Sequence, residues 1–401
     1  MLKNLCLYTL LFCMLTRSYG QSTQTGIEAG AMSASDALSN SFLNGLLLKR
    51  YISPADKSCN SPDAMNHAFA EGRVSMFFRN ENKNATTVFG KKYQISLTHR
   101  SLISTAFTGD AYHMIFEGNQ TYAGQTANMS GSAASMLSYQ TIEYGIFNDF
   151  TLSGWDMSLY SGLGFVKGQQ LTDLNISRGT IFTQADGEYI DASVAMQYRY
   201  YENKPSPFAF SGAGGMLHLK LTAEKDNNSF SVEANDLGFI RWMSPAKEVR
   251  FDSSFRFDGI PVDLFGDSIS QSNLLGDTLQ NLVNYHTRNY KGSKMLPAVI
   301  SLKYSRKINE KISIRTSVIF YTGTKMKFPY TNVDVAYKIS PSVSLSGICR
   351  YGFYNNLNIG AAVDLRFDKF GFRFDCMNLP SMILPKKTMM QGFLLNIHYN
   401  L

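Results

Sequence analysis

The sequence predicts an all-β fold, an antiparallel transmembrane β-barrel of fourteen or sixteen strands. Three observations in residues 298–401 support this prediction. Apolar and polar residues alternate along segments of about ten residues, short turns alternate with longer loops, and the polar faces carry charges of both signs. Ten tilted residues are enough for a strand to cross the hydrocarbon core of a bilayer.

The alternation is clearest between Leu357 and Phe367, where Leu, Ile, Ala, Val, Leu and Phe are separated by Asn, Gly, Ala, Asp and Arg. The segments 312–320, 333–339 and 370–374 follow the same rule. Side chains of a strand point to opposite faces in turn, so each segment has one apolar and one polar face. About fifteen such segments can be counted. A barrel with both chain ends at one rim needs an even number, hence fourteen or sixteen.

The connections between these segments differ in length in a regular way. Tight turns occur at 309–310, 340–342 and 368–369, and longer loops at 322–330, 352–355 and 378–391. Short turns at one rim and long loops at the other are typical of outer-membrane barrels. A soluble β-sandwich also alternates and is the competing interpretation, but it does not predict this asymmetry.

The polar faces are predicted to line a wet lumen. They carry ten ionisable side chains that could line a path through the barrel: Lys303, Arg315, Asp334, Lys338, Arg350, Asp364, Arg366, Arg373, Asp375 and His398. Opposite charges in a lumen could also pair with one another and block that path. His99, beside Arg100, is likewise predicted to face the lumen.

Residues 1–20 have the features of a secretory signal peptide. Lys3 supplies a positive charge, an apolar run follows from Leu5 to Leu15, and Ser18 and Gly20 are small residues before a cleavage site. The apolar run is too short to span a membrane as a helix. We therefore expect cleavage near Gly20 and a location in the bacterial outer membrane.

Residues 21–72 differ from the barrel pattern. They are rich in Ser and Asn at first, and Ser61, Pro62 and Asp63 form a good helix start. The segment could be a plug inside the lumen or a flexible leader with one surface helix, and the barrel is predicted to occupy 73–401. Residues 251–297 interrupt the barrel pattern and predict an extracellular insertion with a helix in 272–285, where Leu275, Leu279 and Leu282 have helical spacing.

Composition and motifs do not indicate an enzyme, a cofactor or nucleic-acid binding. The formal net charge is +7, but there is no basic block. After signal cleavage three cysteines remain, Cys59, Cys349 and Cys376, and their wide spacing predicts neither a disulfide framework nor a metal site. The chain has no G-x-S-x-G and no H-E-x-x-H motif. No catalytic and no metal-binding residue is predicted.

The C-terminal strand resembles the segment that barrel-assembly machinery recognises. Phe393, Leu395, Ile397, Tyr399 and Leu401 alternate with polar residues up to the last position. An unpaired terminal strand can add to a sheet edge while its alternate side chains fill pockets. Phe393, Tyr399 and Leu401 are therefore predicted to form the assembly signal, although such signals usually end in Phe or Trp.

Several runs resemble an uncharacterised family of Bacteroidota outer-membrane barrels, a domain of unknown function. These runs are SLTHRS at 96–101, GNQTYAGQTAN at 118–128, LGFIRW at 237–242 and FRFDG at 255–259. The resemblance covers roughly Glu71 to Leu401 and departs in the first fifty mature residues. The family in turn is loosely similar to the long-chain fatty-acid transporter barrels. The resemblance implies a barrel in the outer membrane and supplies no catalytic residue.

Two functions remain open from the sequence. One is a transport or pore-type barrel that passes or holds small molecules, among them apolar ones. The other is a closed structural or interaction barrel that acts through its extracellular loops or within an envelope complex. The expected partners are outer-membrane lipids, the barrel-assembly machinery and an apolar small-molecule ligand.

Overall fold

The computed structural model describes residues 23–57, 65–81, 92–201, 206, 208–243, 246–258, 286–326, 328–354 and 356–401. Within them lie nineteen strands, all joined in one antiparallel sheet. In chain order they are β1 (Thr23–Ser35), β2 (Asn66–Asn80), β3 (Tyr93–Phe107), β4 (Gln125–Asn128), β5 (Ala133–Leu152), β6 (Trp155–Thr183), β7 (Ile190–Tyr201), β8 (Gly212–Lys225), β9 (Asn228–Trp242), β10 (Ala246–Phe257), β11 (His286–Asn289), β12 (Ser293–Met295), β13 (Val299–Lys307), β14 (Ile312–Tyr321), β15 (Phe328–Ser340), β16 (Val343–Phe353), β17 (Asn356–Arg366), β18 (Phe370–Cys376) and β19 (Met390–Asn400).

Fourteen of these strands close into a barrel, which confirms the predicted fold class. The order around the wall is β1, β2, β3, β5, β6, β8, β9, β13 and then β14 to β19. Strand β19 returns to pair with β1 over eleven residue pairs, from Gln24 opposite Asn400 to Ala34 opposite Met390. Closure of the sheet leaves the wall without a free edge, which a barrel in lipid requires.

Of the remaining strands, β4, β7, β10 and β11 form an outer sheet with the second half of β6, and β12 pairs with the wall strand β9. Strand β6 has 29 residues. Its first half pairs with β8 in the wall, and its second half pairs with β7, which pairs in turn with β10. Residues 251–257 and 286–289 of the predicted insertion therefore belong to strands of this sheet, while the predicted helix at 272–285 lies outside the described residues.

Three α-helices are described at the rim of the long loops: α1 (Asn40–Leu47), α2 (Gly109–Phe116) and α3 (Leu379–Ile383). Two short 3-10 helices, Pro54–Asp56 and Asn119–Tyr122, also lie in the described residues. Ser39 caps α1 and Thr108 caps α2, each accepting a hydrogen bond from a backbone N–H of the first turn. None of the helices in the described part of the chain is long and apolar enough to cross a membrane. An apolar cluster joins α1 to α2 and contains Leu38, Phe42, Leu43, Ala68 and Tyr112.

The prediction that residues 21–72 form a plug or a flexible leader is wrong for residues 23–35. Thr23–Ser35 is neither a plug nor a leader, because it is hydrogen-bonded to β2 on one side and to β19 on the other. The predicted helix start at Ser61 lies outside the described residues.

The outer wall exposes apolar side chains at alternate positions, as the alternation predicts. Leu163 is 71% exposed and Leu357 is 67% exposed. Ile359 and Phe374 also face outward, and so does the free thiol of Cys349. Strand β9 has an irregularity near Leu237. Between β8 and β9 the pairing shifts at this point, and Asp236 there has a positive φ of 59°.

Candidate functional site

The lumen contains a cavity of about 520 Å³, which we call the chamber. Its lining begins at Arg79 and Gln94, near the ends of β2 and β3 at the rim of the barrel where the short turns lie. It extends inward to Glu71 and Tyr321. Thirteen of the lining residues are apolar or aromatic, among them Met32, Phe77, Phe147 and Leu394, and most of the others are charged or polar. A volume of this size is within the range of small-molecule sites.

The lumen above the chamber, toward the long loops, is filled by side chains. Buried apolar and aromatic residues from nearly every wall strand meet there, including Leu102, Leu137, Trp242, Phe353 and Met390. Tyr139 and Trp242 are 0% and 1% exposed. The described part of the lumen is therefore packed like a protein core at this level, and the chamber ends there.

Between the chamber and this packed region lies the Arg100 cluster, formed by Arg100, Glu71, Asp236, Tyr139 and Tyr321. Arg100 Nε donates to Glu71 Oε1 at 2.7 Å, and Nη1 donates to Asp236 Oδ2 at 2.5 Å and to the carbonyl oxygen of Pro297 at 2.7 Å. Tyr139 donates to Asp236 at 2.7 Å, and Tyr321 donates to Glu71 at 2.8 Å.

The Arg100 cluster crosses the lumen. Its members come from β2, β3 and β5, which are neighbours in the wall, and from β9 and β14, which lie in a separate part of it. Arg100 is 0% exposed and the two carboxylates are below 10%. Ion pairs this deeply buried need several hydrogen bonds to offset desolvation, and this cluster provides them. The cluster thus ties opposite walls together at the inner end of the chamber.

A second polar group lies on the part of the chamber wall that β5, β8 and β9 form. His218 Nδ1 is 3.1 Å from Glu143 Oε1 and its Nε2 is 3.2 Å from Glu233 Oε1. Tyr160 donates to Glu143, and Lys303 Nζ donates to Glu233 at 3.0 Å. Both ring nitrogens of His218 thus contact carboxylates. In the described residues no hydroxyl or thiol nucleophile hydrogen-bonds His218, so the arrangement is an ionic network.

The ten predicted lumen charges lie on the inner face of their strands, and they are not equivalent. Lys303, Arg350, Arg373 and Asp375 line the chamber. Arg315 and Arg373 share Asp334 at 2.9 and 3.0 Å, and Asp364 pairs with Arg366 at 2.9 Å. Lys338 is exposed near the short turns, and His398 contacts Asn396 near the same rim. Paired charges therefore occupy much of the predicted path.

Sequence reasoning missed the most important site residues and misplaced one. Glu71, Arg73, Arg100 and Asp236 were not predicted to be lumen residues. His99 does not face the lumen, because alternation along β3 places Arg100 inward and His99 outward, beside Ser101. A signal was present in the sequence, because successive side chains of a strand face opposite sides and His99 and Arg100 therefore cannot both face the lumen.

The outer sheet carries a separate charged group around Glu248. This carboxylate is 1% exposed. Arg199 Nε donates a hydrogen bond to it at 2.9 Å, and Arg288 donates another. Burial would raise the pKa of Glu248, but the hydrogen bonds from Arg199 and Arg288 outweigh it and hold the pKa below its ordinary value. The group holds β7, β10 and β11 together.

Comparison with solved structures finds other barrels. The Pseudomonas putida toluene transporter TodX covers 96% of this chain and is covered over 91% of its own, with a TM-score of 0.44 and 8% identity. The match to a Pseudomonas aeruginosa FadL homologue covers 94% of this chain and 90% of the homologue, with a TM-score of 0.39 and 8% identity. The match to outer membrane phospholipase A from Escherichia coli covers 96% of this chain and 93% of the phospholipase, with a TM-score of 0.30 and 8% identity. At this level of similarity none of these proteins carries an argument about function.

Comparison with sequences is more decisive about the family. No curated protein has a sequence that matches this chain. One family model matches residues 60–374, well over half of the 401 residues. This range contains all the members of the Arg100 cluster and most of the chamber lining. The chain therefore belongs to the family of unknown function DUF5723.

Proposed function

We propose that the protein is an outer-membrane transport barrel that admits small molecules into its chamber from the short-turn rim and is closed at the other end by the Arg100 cluster. The chamber carries this proposal, because a barrel with a purely structural role has no need of a 520 Å³ cavity in its lumen. The apolar outer wall supports a location in lipid. With the long loops outside the cell, the chamber faces the periplasm.

Solute access is tested by cysteine labelling of the full-length protein after its own cysteines have been replaced. Leu394→Cys places a thiol in the chamber, where Leu394 is 47% exposed. Leu102→Cys places one in the packed region, where Leu102 is 3% exposed. We expect a water-soluble thiol reagent to modify the first at least tenfold faster than the second. Equal rates would contradict the proposed closed-ended chamber.

The competing function is a closed structural or interaction barrel, and the packed upper lumen favours it. Passage of solute distinguishes the two functions. The transport proposal requires that weakening the Arg100 cluster by Asp236→Asn speeds the swelling of proteoliposomes in small solutes. A barrel that is permanently closed would give the same low rate before and after this substitution.

We further propose that β19 carries the assembly signal formed by Phe393, Tyr399 and Leu401. The strand closes the barrel against β1, and the backbone N–H of Leu401 donates to the carbonyl oxygen of Thr23. Deletion of Tyr399 to Leu401 is expected to reduce the heat-modifiable protein in outer-membrane fractions severalfold, while Leu401→Phe preserves it. Normal assembly of the shortened chain would exclude a signal at this end.

A further inference from the structure

We propose that the chamber is a binding site for a small organic polyanion, such as a dicarboxylate, a tricarboxylate or a phosphate ester. This inference rests on the proposed function, because it names the class of solute that the chamber takes. It replaces the expectation of an apolar ligand. The groups that remain free to bind in the chamber carry the argument.

The carboxylates of the chamber already have partners. Asp375 accepts two hydrogen bonds from Arg350 Nη2, at 2.5 and 2.7 Å. Glu71 is held by the Arg100 cluster, and Glu143 and Glu233 are held by the His218 network. Glu28 accepts from the amide of Asn396 at 2.9 Å. A cationic ligand would have to compete with these contacts for each carboxylate.

The cationic side chains differ, because three of them keep unused donors. Arg73 lines the inner part of the chamber, its Nε has no hydrogen-bond partner, and it forms no ion pair within 4.0 Å among the described residues. Lys220 lines the chamber and likewise forms no hydrogen bond or ion pair with a described residue. Arg373 pairs through Nη2 with Asp334 at 3.0 Å, but its Nη1 has no hydrogen-bond partner and lies 3.9 Å from Asp364 Oδ2.

Of these three cationic side chains, Arg73 gives the strongest argument for an anionic ligand. It pairs across the sheet with Gly30 on one side and with Arg100 on the other, which puts it next to the Arg100 cluster. A guanidinium carries five N–H donors, and leaving them without acceptors in a buried place is unfavourable. An oxyanion supplies acceptors in the geometry that a guanidinium fits, as a bidentate pair.

The positions of the three donors favour more than one oxyanion group. Arg73 is on β2, Lys220 is on β8 and Arg373 is on β18, which are separate parts of the wall. Cations on separate parts of the wall are matched better by several anionic groups than by one carboxylate on an alkyl chain. A compact molecule with two or three anionic groups can contact several, while its carbon skeleton packs against Phe77 and Leu394.

Isothermal titration of the full-length protein in detergent micelles tests this inference, with four probes. Citrate carries its negative charges on carboxylates and glucose 6-phosphate carries them on a phosphate ester, so the two probes represent the two kinds of polyanion. Glucose is the neutral probe, and dodecanoate is the apolar monoanion. We expect citrate, glucose 6-phosphate or both to bind, with an affinity that falls as salt concentration rises, while glucose does not bind.

Arg73→Gln is expected to weaken binding of the polyanion at least tenfold. If this variant does not fold, Lys220→Gln is measured in its place and is expected to weaken binding severalfold. The matched control is Arg178→Gln on the second half of β6, where Arg178 pairs with Asp252 outside the chamber, and it is expected to leave the affinity unchanged. Polyanion binding that is unaffected by Arg73→Gln or by its replacement Lys220→Gln, or binding of dodecanoate alone, would overturn the inference.

The labelling of Leu394→Cys separates this inference from the proposed function. Citrate or glucose 6-phosphate should slow modification of this thiol if the polyanion occupies the chamber. Rapid modification that neither compound slows refutes the polyanion and leaves the chamber accessible. A thiol as unreactive as that of Leu102→Cys refutes the proposed access itself.

Discussion

Replacement of Arg100 by methionine is expected to lower the free energy of unfolding by about 3–5 kcal/mol, because it leaves buried carboxylates without their cation. Glu71 and Asp236 would keep only their hydrogen bonds from Tyr321 and Tyr139. Urea unfolding of the protein in detergent micelles, followed by the loss of heat-modifiable migration, measures the change.

The control is Arg366→Met, which removes an exposed arginine paired with Asp364 at 2.9 Å. A pair at the surface contributes about 1 kcal/mol or less, so this variant should be nearly neutral. The triple variant Arg100→Met with Glu71→Gln and Asp236→Asn removes all three charges and should recover much of the loss. Equal effects of Arg100→Met and Arg366→Met would show that the cluster does not stabilise the closed barrel.

Ile359→Arg is expected to destabilise the barrel by about 2–4 kcal/mol, provided that Ile359 lies near the middle of the hydrocarbon layer. Ile359 is on the outer face of β17 and is 58% exposed, so the new charge would lie in lipid. Folding into lipid vesicles at increasing urea concentrations measures the loss.

Asn396→Arg is the matched control for the lipid-facing charge. Asn396 is on the inner face of β19, in the chamber, where Glu28 already accepts its hydrogen bond and could pair with an arginine. Asn358, the neighbour of Ile359, is a poorer control because it is buried beside Arg350, whose charge an added arginine would oppose. Equal destabilisation by Ile359→Arg and Asn396→Arg would mean that the faces are assigned wrongly.

The faces of the C-terminal strands could be predicted from the sequence because lipid imposes a simple rule on them. Outward positions there are nearly all apolar, as in β17 and β19, so the period of two is visible without a partner strand. Consecutive strands from β13 to β19 are also neighbours in the wall, and the barrel order there therefore follows the chain order. Both regularities are local, which is why residues 298–401 could be interpreted correctly.

Strand β1 could not be predicted because its side chains are small. Gly26 and Gly30 face the lumen, and the space that a Cβ would need is taken by the ring of Phe77 and by a methyl group of Leu394. The packing partners come from β2 and β19, the latter more than 360 residues away. A pattern of Gly, Ala and Ser has no visible alternation, so only tertiary contacts identify it as a strand.

The Arg100 cluster and the chamber depend on register between distant strands. Arg100 and Asp236 are 136 residues apart, and they meet because a bulge turns Asp236 into the lumen. An uninterrupted two-residue period cannot place a residue at a bulge. The alternation therefore predicted a charged lumen, and the pairing of its charges, which decides what can bind, emerged only from the three-dimensional register.

The length of β6 has a mechanical consequence. At about 3.3 Å per residue its 29 residues extend for roughly 95 Å, while a bilayer with its headgroups is only about 40–45 Å thick. One continuous strand thus connects the membrane wall to the outer sheet, and its pairing is irregular only near Gln169 and Ser177, between its two parts. A force applied to the outer sheet, by a bound particle or by a neighbouring surface, would be transmitted along hydrogen-bonded backbone to the wall, and the strand would bend first at these two positions.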